Sequence, residues 1–433
     1  MPSHLWMDIF TRMTKDEIKD YQLKRMKWLI KYAYENTSFY KKLYDAKGIK
    51  PDDIQKLEDI NKLPITTKES FAQSQSISPP FGNHLAVSRE KIIRINISTG
   101  AKGPAIEPST ENDALMDTEA NAFALNMAGV GPEDIFVITS NYSYVPSGLL
   151  WQLAGEKVGC ATIPIGIGNR ERLVNTLSYT KATVLNAFTT YCFQIAETAY
   201  ENGVDPKKDF ALRTIFMGGE PGGGFPSVRK KLRDIYGEVE LYERYGTAEL
   251  RLLGAECSAH DGFHIPEPFN YVEVGDMENC EPVSEGDKGV IIGSALQKDG
   301  WPIIRFRTDD ISFVNSESCS CGLGFRKLMG ILGKTGGIAR VKGILVYPEP
   351  IAQVISDFHG LKSFQAVVSR PKETDKIILR IESEDEPDST VKSKLIERLR
   401  AVMAINPEIE FIRPGVLPKD AKFKRIIDER HAY

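Results

Sequence analysis

Between residues 135 and 217 short apolar runs alternate with helix-forming stretches, and this alternation constrains the fold more than any other feature. Ile135-to-Ile138, the Ala161-to-Ile165 run and Arg213-to-Met217 have the length and composition of short buried strands, and residues 186–202 read as a helix. Strands separated by helices close most readily as βα units with parallel pairing. Ahead of them, residues 15–47 are amphipathic, with Ile18, Tyr21, Met26, Leu29, Ile30, Ala33 and Tyr40 near helical spacing. After Gly333 the character changes. Phe364-to-Ser369 and Lys376-to-Glu382 read as strands joined by a Pro371-led turn, and Val391, Leu395, Leu399 and Val402 line one helical face. Ile409-to-Ile412 reads as a further strand. The expectation is an α/β protein: a large domain over 1–333, with β-sheets flanked by helices, and a small α+β domain over 334–433.

Bulk properties narrow the function classes. The chain has 433 residues, 42% hydrophobic and 26% charged, with a net charge of −4. This is ordinary for a globular protein and offers no basic surface to nucleic acid. No apolar stretch reaches the roughly 20 residues needed to cross a bilayer. The opening Met-Pro-Ser-His-Leu-Trp lacks a basic region followed by an apolar run. Cytoplasmic residence is the expectation, with small molecules rather than membranes or nucleic acids as partners; a homodimer is compatible with it.

Three tracts carry the chemistry: Tyr242-Glu-Arg-Tyr-Gly-Thr-Ala-Glu249, Ile304-Arg-Phe-Arg-Thr-Asp-Asp-Ile311 and Ala421-Lys-Phe-Lys-Arg425. A glutamate, an aspartate and a terminal lysine in this order suit an enzyme that joins a carboxylate to AMP. Glutamate oxygen is a fit ligand for Mg²⁺, which takes few carboxylates beside phosphate oxygens and water. Aspartate can accept two hydrogen bonds from a ribose diol, and an ammonium steadies charge growing at the α-phosphate.

With Asn36-Thr-Ser-Phe-Tyr40, Leu63-Pro-Ile-Thr-Thr-Lys-Glu69, Ile163-Pro-Ile-Gly-Ile-Gly-Asn-Arg-Glu-Arg172, Gly218-Gly-Glu-Pro221 and Lys342-Gly-Ile-Leu-Val-Tyr-Pro348, the whole chain resembles the phenylacetate–CoA ligase branch of the adenylate-forming superfamily. The resemblance implies a large adenylation domain and a small mobile lid, with ATP, Mg²⁺ and CoA as cofactors. It implies Lys422 as the catalytic lysine of the lid, with a solvated basic tail as the alternative and Lys424 two positions on. Glu249 matches the magnesium-linked glutamate, Thr247 a contact to the α-phosphate or acyl carboxylate, and Tyr245 and Gly246 the adenine surround. Gly219, Glu220 and Pro221 match the adenine-contacting turn, Gly219 also facing the acyl group. Asp310 matches the ribose ligand, with Asp309 standing where the family has glycine.

The phosphate loop falls at Ile97–Pro104, where Ser98, Thr99 and Gly100 offer hydroxyl and backbone N–H donors for an anion. It departs from the family pattern: Ala101 and Lys102 replace further threonines, so Lys102 becomes a candidate cation at the phosphates. The family's acidic hinge is replaced by Gly333-Lys-Thr-Gly-Gly-Ile338, which removes charge and widens backbone freedom.

The family places its aryl-binding wall at Asn141–Trp151. Tyr142 aligns with a substrate-facing tyrosine; Tyr144 and Trp151 are either wall or core. An aromatic carboxylic acid is therefore the expected substrate class. Six cysteines in a cytosolic enzyme argue against a disulfide framework. Cys257, Cys319 and Cys321 with a nearby histidine suit a four-ligand structural Zn²⁺ site. His264 matches the family's Gly-x-His-Ile position, and His260, in Cys-x₂-His, competes with it.

Three functional readings follow. An acid is adenylated and passed to CoA; or the adenylate passes to an amine or hydroxyl acceptor; or the chain is a non-catalytic nucleotide-binding relative. The first is the preferred reading; the altered loop and hinge make the second a serious rival, and the presence of Glu249, Asp310 and Lys422 speaks against the third.

Overall fold

The computed structural model describes residues 9–100, 103–342, 344–371, 374–418 and 423–431. The chain divides into two compact units. One comprises Met1–Glu220, Leu232–Thr308 and Phe313–Gly330; the other comprises Pro221–Lys231, Asp309–Ser312 and Ile331–Tyr433. The second unit thus draws two short segments from earlier in the chain instead of beginning at a single cut.

The first unit opens with a helix, Lys15–Asn36, whose Thr14 and Glu17 form a reciprocal capping box. The amphipathic stretch over 15–47 is two helices, not one. Thr37 breaks it, donating to the Ala33 carbonyl at 2.8 Å and accepting from the Tyr40 N–H at 3.1 Å to start Ser38–Asp45. Its inner face (Met26, Leu29, Ile30, Ala33, Tyr40 and Tyr44) is fully buried. Next come β1 (Arg94–Gly100) and β2 (Gly103–Ser109), an antiparallel hairpin.

The central sheet is built from β3 (Ile135–Ile138), β4 (Ala161–Pro164), β5 (Val184–Ala187), β6 (Thr214–Gly218), β7 (Glu240–Thr247), β8 (Arg251–Ala255) and β9 (Phe263–His264). A separate antiparallel pair follows, β10 (Asn270–Gly275) and β11 (Gly289–Ala295), and then β12 (Phe306–Ser312). The strands β13 (Val314–Asn315) and β14 (Lys327–Leu328) complete the central sheet, whose order is β13-β14-β9-β8-β7-β6-β5-β3-β4. Strands β4, β3, β5, β6 and β7 are parallel, and β8, β9, β14 and β13 continue antiparallel. Helices Ser147–Lys157, Arg170–Thr180 and Thr189–Glu201 make crossovers, as parallel neighbours require.

Two sequence expectations change here. Residues 184–187 form the fully buried strand β5, so the helix read over 186–202 starts only at Thr189. A four-residue strand abutting a helix is too short to show a period of its own. β4 is the edge strand of the sheet, with Ala161 and Pro164 exposed, and is not buried. An edge tolerates a proline that donates no hydrogen bond.

In the second unit β15 (Gly333–Lys334) pairs with the end of β12, Asp310 opposite Lys334, and β16 (Ala339–Val341) pairs with β17 (Ile344–Val346). The strands β18 (Leu361–Ser369), β19 (Lys376–Ser383), β20 (Glu408–Ile412) and β21 (Ile426–Asp428) form a sheet in the order β20-β19-β18-β21. Helices Pro348–Ser356 and Ser389–Met403 share its core with Val368, Leu379 and Ile381. The buried stripe of the latter helix is Leu395, Leu399 and Met403, and Val402 is exposed. At 100° per residue Met403, not Val402, lies in line with Leu399.

Candidate functional site

The five parallel strands of the first unit end on one edge of the sheet, where open α/β folds bind ligands. Tyr142 follows β3, Phe188 and Thr189 follow β5, Gly219 and Glu220 follow β6, and Glu249 follows β7. The turn from β7 to β8 carries Thr247 and Glu249. Its geometry requires Gly246: a Cβ there would lie 2.1 Å from the Arg251 carbonyl oxygen. Thr247 Oγ1 accepts the Leu250 N–H at 3.1 Å and so closes the turn. Glu249 is buried in that turn and does not lie on a helix. Its Oε1 is sealed from water with no hydrogen-bond donor among the described residues, and Lys68 Nζ forms a loose ion pair with it at 3.5 Å. A dry, weakly paired carboxylate oxygen suits a divalent cation. Lys68 lies in the Leu63–Glu69 tract, but nothing in its spacing announced a role beside Glu249.

Arg251, the residue after this turn, anchors it. The guanidinium meets Glu107 Oε2 at 2.6 Å and Asp117 Oδ2 at 3.0 Å, and Lys298 Nζ stands 3.6 Å from Asp117. Glu107 is on β2, and Asp117 is on the helix Glu111–Met127. Register pairs Glu107 with Asn96 and Ala105 with Ser98, so Glu107 and Ser98 share the buried face of the hairpin. The buried charges therefore tie the Thr247–Glu249 turn to the hairpin expected to hold phosphate. Sequence reasoning did not find this network, because its members lie far apart in the chain.

Ser98, Thr99 and Gly100 are strand residues of β1, so the loop expected over 97–104 is mostly hairpin. Ser98 Oγ is buried and has no hydrogen-bond partner among the described residues. Lys102, at the hairpin tip, lies outside the described residues, as does Lys422. The Ile97 N–H donates to the Tyr144 carbonyl at 2.9 Å, linking β1 to the segment after β3.

Gly219 and Glu220 belong to the first unit. Glu220 accepts from the Thr190 Oγ1–H at 3.0 Å and from the Thr190 N–H, serving the start of the helix Thr189–Glu201, where anionic charge is favoured. Tyr245 is buried. Tyr142 is partly exposed, and burial of the remainder pushes its phenol up to about 12. Tyr144 is 68% exposed on a left-handed backbone, so it forms neither core nor enclosed wall, whereas Trp151 is core at 1%.

Pro221 and Asp310 belong to the second unit. Asp310 is buried and its Oδ1 meets Lys334 Nζ at 2.5 Å; Asp309 is exposed and accepts from Thr335 Oγ1 at 3.2 Å. Asp309 has a left-handed backbone, φ 64°. Glycine would adopt it without strain.

Cys257, His264, Cys319 and Cys321 bring their ligand atoms within 4.8 Å of one another. Cys257 and Cys319 sulfurs are 3.6 Å apart, and Cys321 Sγ is 3.3 Å from His264 Nε2. His264 Nδ1 faces the Phe325 carbonyl at 3.1 Å, a contact that makes Nδ1 the protonated nitrogen and leaves Nε2 to bind metal. Burial holds this imidazole below its ordinary pKa, in the neutral form that ligates. Three sulfurs and one such nitrogen fit a closed tetrahedral Zn²⁺ site. His260 is not in the cluster: its ring lies 5.1 Å from that of Tyr242 and its nitrogens face Glu240 and Glu256.

Residues 343–430 match the family described as AMP-binding enzyme C-terminal domain. The phenylacetate-coenzyme A ligase of Thermus thermophilus is 27% identical, over 96% of this chain and 98% of its own length. That of Escherichia coli is 27% identical, over 98% of each. A crystal structure of 2-hydroxyisobutyryl-CoA ligase in the postadenylation state superposes with a TM-score of 0.86 at 24% identity. The match covers 98% of this chain and 92% of that one, and speaks for the fold. Similarity along the full length of two phenylacetate-CoA ligases, together with the C-terminal match, places this chain in the adenylate-forming superfamily.

Proposed function

We propose that this protein activates an aromatic carboxylic acid with ATP, releasing pyrophosphate, and passes the acyl group from AMP to the thiol of CoA. The observation that carries the reading is the near-complete coverage of relatives named for this chemistry. The buried, weakly paired Glu249 beside Thr247 at the carboxyl edge of the parallel strands supports it. In this reading the acid's carboxylate attacks the α-phosphorus, and Thr247 orients one of the two reactants. Ser98, Thr99, Gly100 and Lys102 take the outgoing phosphates, and Gly219, Glu220, Pro221, Tyr245 and Gly246 surround the adenine. Asp310 holds the ribose. Mg²⁺ bound at Glu249 would screen phosphate charge. Residues 334–433 act as the lid that delivers Lys422, and the cysteine–histidine cluster holds a structural zinc ion. None of the six cysteines is in a disulfide, which suits the cytoplasmic setting of this reading.

Product analysis tests the proposal. Aromatic acids are incubated with ATP and Mg²⁺, with CoA present or omitted. AMP and a CoA-dependent thioester are expected. An amide or ester formed without CoA would move the acceptor to an amine or hydroxyl. No pyrophosphate with any acid would defeat adenylation itself. Within this chemistry Lys422→Ala should suppress ATP–pyrophosphate exchange by about 10²–10³, and Lys424→Ala much less; the reverse ranking refutes the assignment.

A further inference from the structure

Arg244 lies within β7, registered with Gly218 at the end of β6, and has no anion to balance it among the described residues. Strand alternation puts it on the same face as Tyr242. That face is aromatic: Tyr242 stacks on Phe216 at 5.5 Å, Phe216 lies 5.7 Å from Trp151, and the Arg244 guanidinium sits 4.7 Å from the Trp151 ring centroid. Its Nε–H is sealed from water without an acceptor among the described residues. Burial lowers its pKa to about 10, and no carboxylate raises it again. A desolvated cation is costly unless something pairs with it. Arg251, seven residues on and more deeply buried, has two carboxylates.

Two neighbours make this a built position and not a packing accident. Gly218, registered opposite Arg244 on β6, makes room for the arginine itself; a Cβ there would stand 2.6 Å from the Arg244 carbonyl oxygen and 2.8 Å from its Cγ. Asn186 on β5 is registered with Phe216, which is registered with Tyr242, so the three side chains share the face that Arg244 occupies. Asn186 Oδ1 is taken by Ser140 Oγ, and its buried Nδ2 has no acceptor among the described residues. The unmet groups at Arg244 and Asn186 are both donors. Both look onto one aromatic floor at the strand ends.

We propose that Arg244, with Asn186, binds an oxygen acceptor on the acid substrate. The preferred substrate is then an aromatic acid carrying a second oxygen group, a carboxylate first of all, remote from the carboxyl that is activated. This rests on the acyl-activating reading above and names its substrate class. A guanidinium matches a carboxylate in plane and charge, and the indole beneath holds it flat.

The test compares phenylacetate and benzoate with their para-carboxy and para-hydroxy derivatives. Binding to the wild-type full chain is followed by calorimetry and adenylation by ATP–pyrophosphate exchange. The para-carboxy acids should be preferred by about 10- to 100-fold, as for a charge-assisted hydrogen bond left unmade. Arg244→Met should bring that preference within about threefold, and Arg244→Lys should restore part of it, with melting curves showing that both variants fold. A wild-type protein that binds the plain acids as well as the substituted ones overturns the proposal, as does selectivity that survives Arg244→Met or a failure of all the acids to bind. Selective binding lost in Arg244→Met, but with no exchange for any acid, would retain this pocket and defeat the adenylation reading.

Discussion

Replacing Arg251 with methionine should unfold the first unit more readily than any surface charge change, and the size follows from its surroundings. The side chains of Arg251, Glu107 and Asp117 are 3%, 1% and 9% exposed, so water cannot compensate a missing partner. Methionine keeps most of the stem volume but leaves Glu107 without the guanidinium at 2.6 Å and Asp117 with Lys298 at 3.6 Å. Breaking one side of a buried pair costs about 3–5 kcal/mol, mostly as the penalty for the charge left behind. The exposed Lys50–Asp45 pair supplies the control, since solvent screening should leave its removal close to neutral. The second unit contains no tryptophan, and Trp28, Trp151 and Trp301 belong to the first. Urea unfolding followed by tryptophan fluorescence therefore reports that unit without interference from the second. If the penalty comes from stranded charge, Arg251→Met with Glu107→Gln should cost less than the sum of the single changes by at least about 1 kcal/mol. A cost below about 1 kcal/mol for Arg251→Met, or simple additivity, refutes the reasoning.

Two further predictions concern the metal cluster and the second unit. Purified protein should carry one zinc ion per chain, and His264→Asn should lose it while His260→Asn should not; metal-free wild-type protein with freely titrating thiols would make the cluster ordinary reduced core. Burial raises the carboxyl of Glu349 to about 7, with Arg425 opposing and Asp310 adding to the shift. The folded second unit thus holds a proton that the unfolded chain releases, so its stability falls as pH rises from about 4.5 to 7, by up to about 3 kcal/mol. Glu349→Gln should raise the calorimetric melting temperature at pH 8 but not at pH 4.5; an equal shift at both would refute the assignment.

Much of this protein was legible along the chain because the signals are local. Apolar runs announced β3 and β6, the helix Ser389–Met403 announced itself by Leu395 and Leu399, and the cysteine–histidine set stood out because few residue types make good zinc ligands. Thr37 shows where local reading stops: hydrophobic spacing runs through it, but its side chain ends one helix and begins the next. Tertiary structure decided the rest through contacts between distant residues. It separated His264 from His260 by putting one ring among three sulfurs and the other over Tyr242. It tied Glu107, Asp117 and Arg251 into one buried group across some 140 positions, and it left Arg244 on Trp151 without an anion among the described residues. Residue type prescribes which partners a side chain needs; only the packed chain settles whether they are met, because desolvation depends on everything that closes around the group.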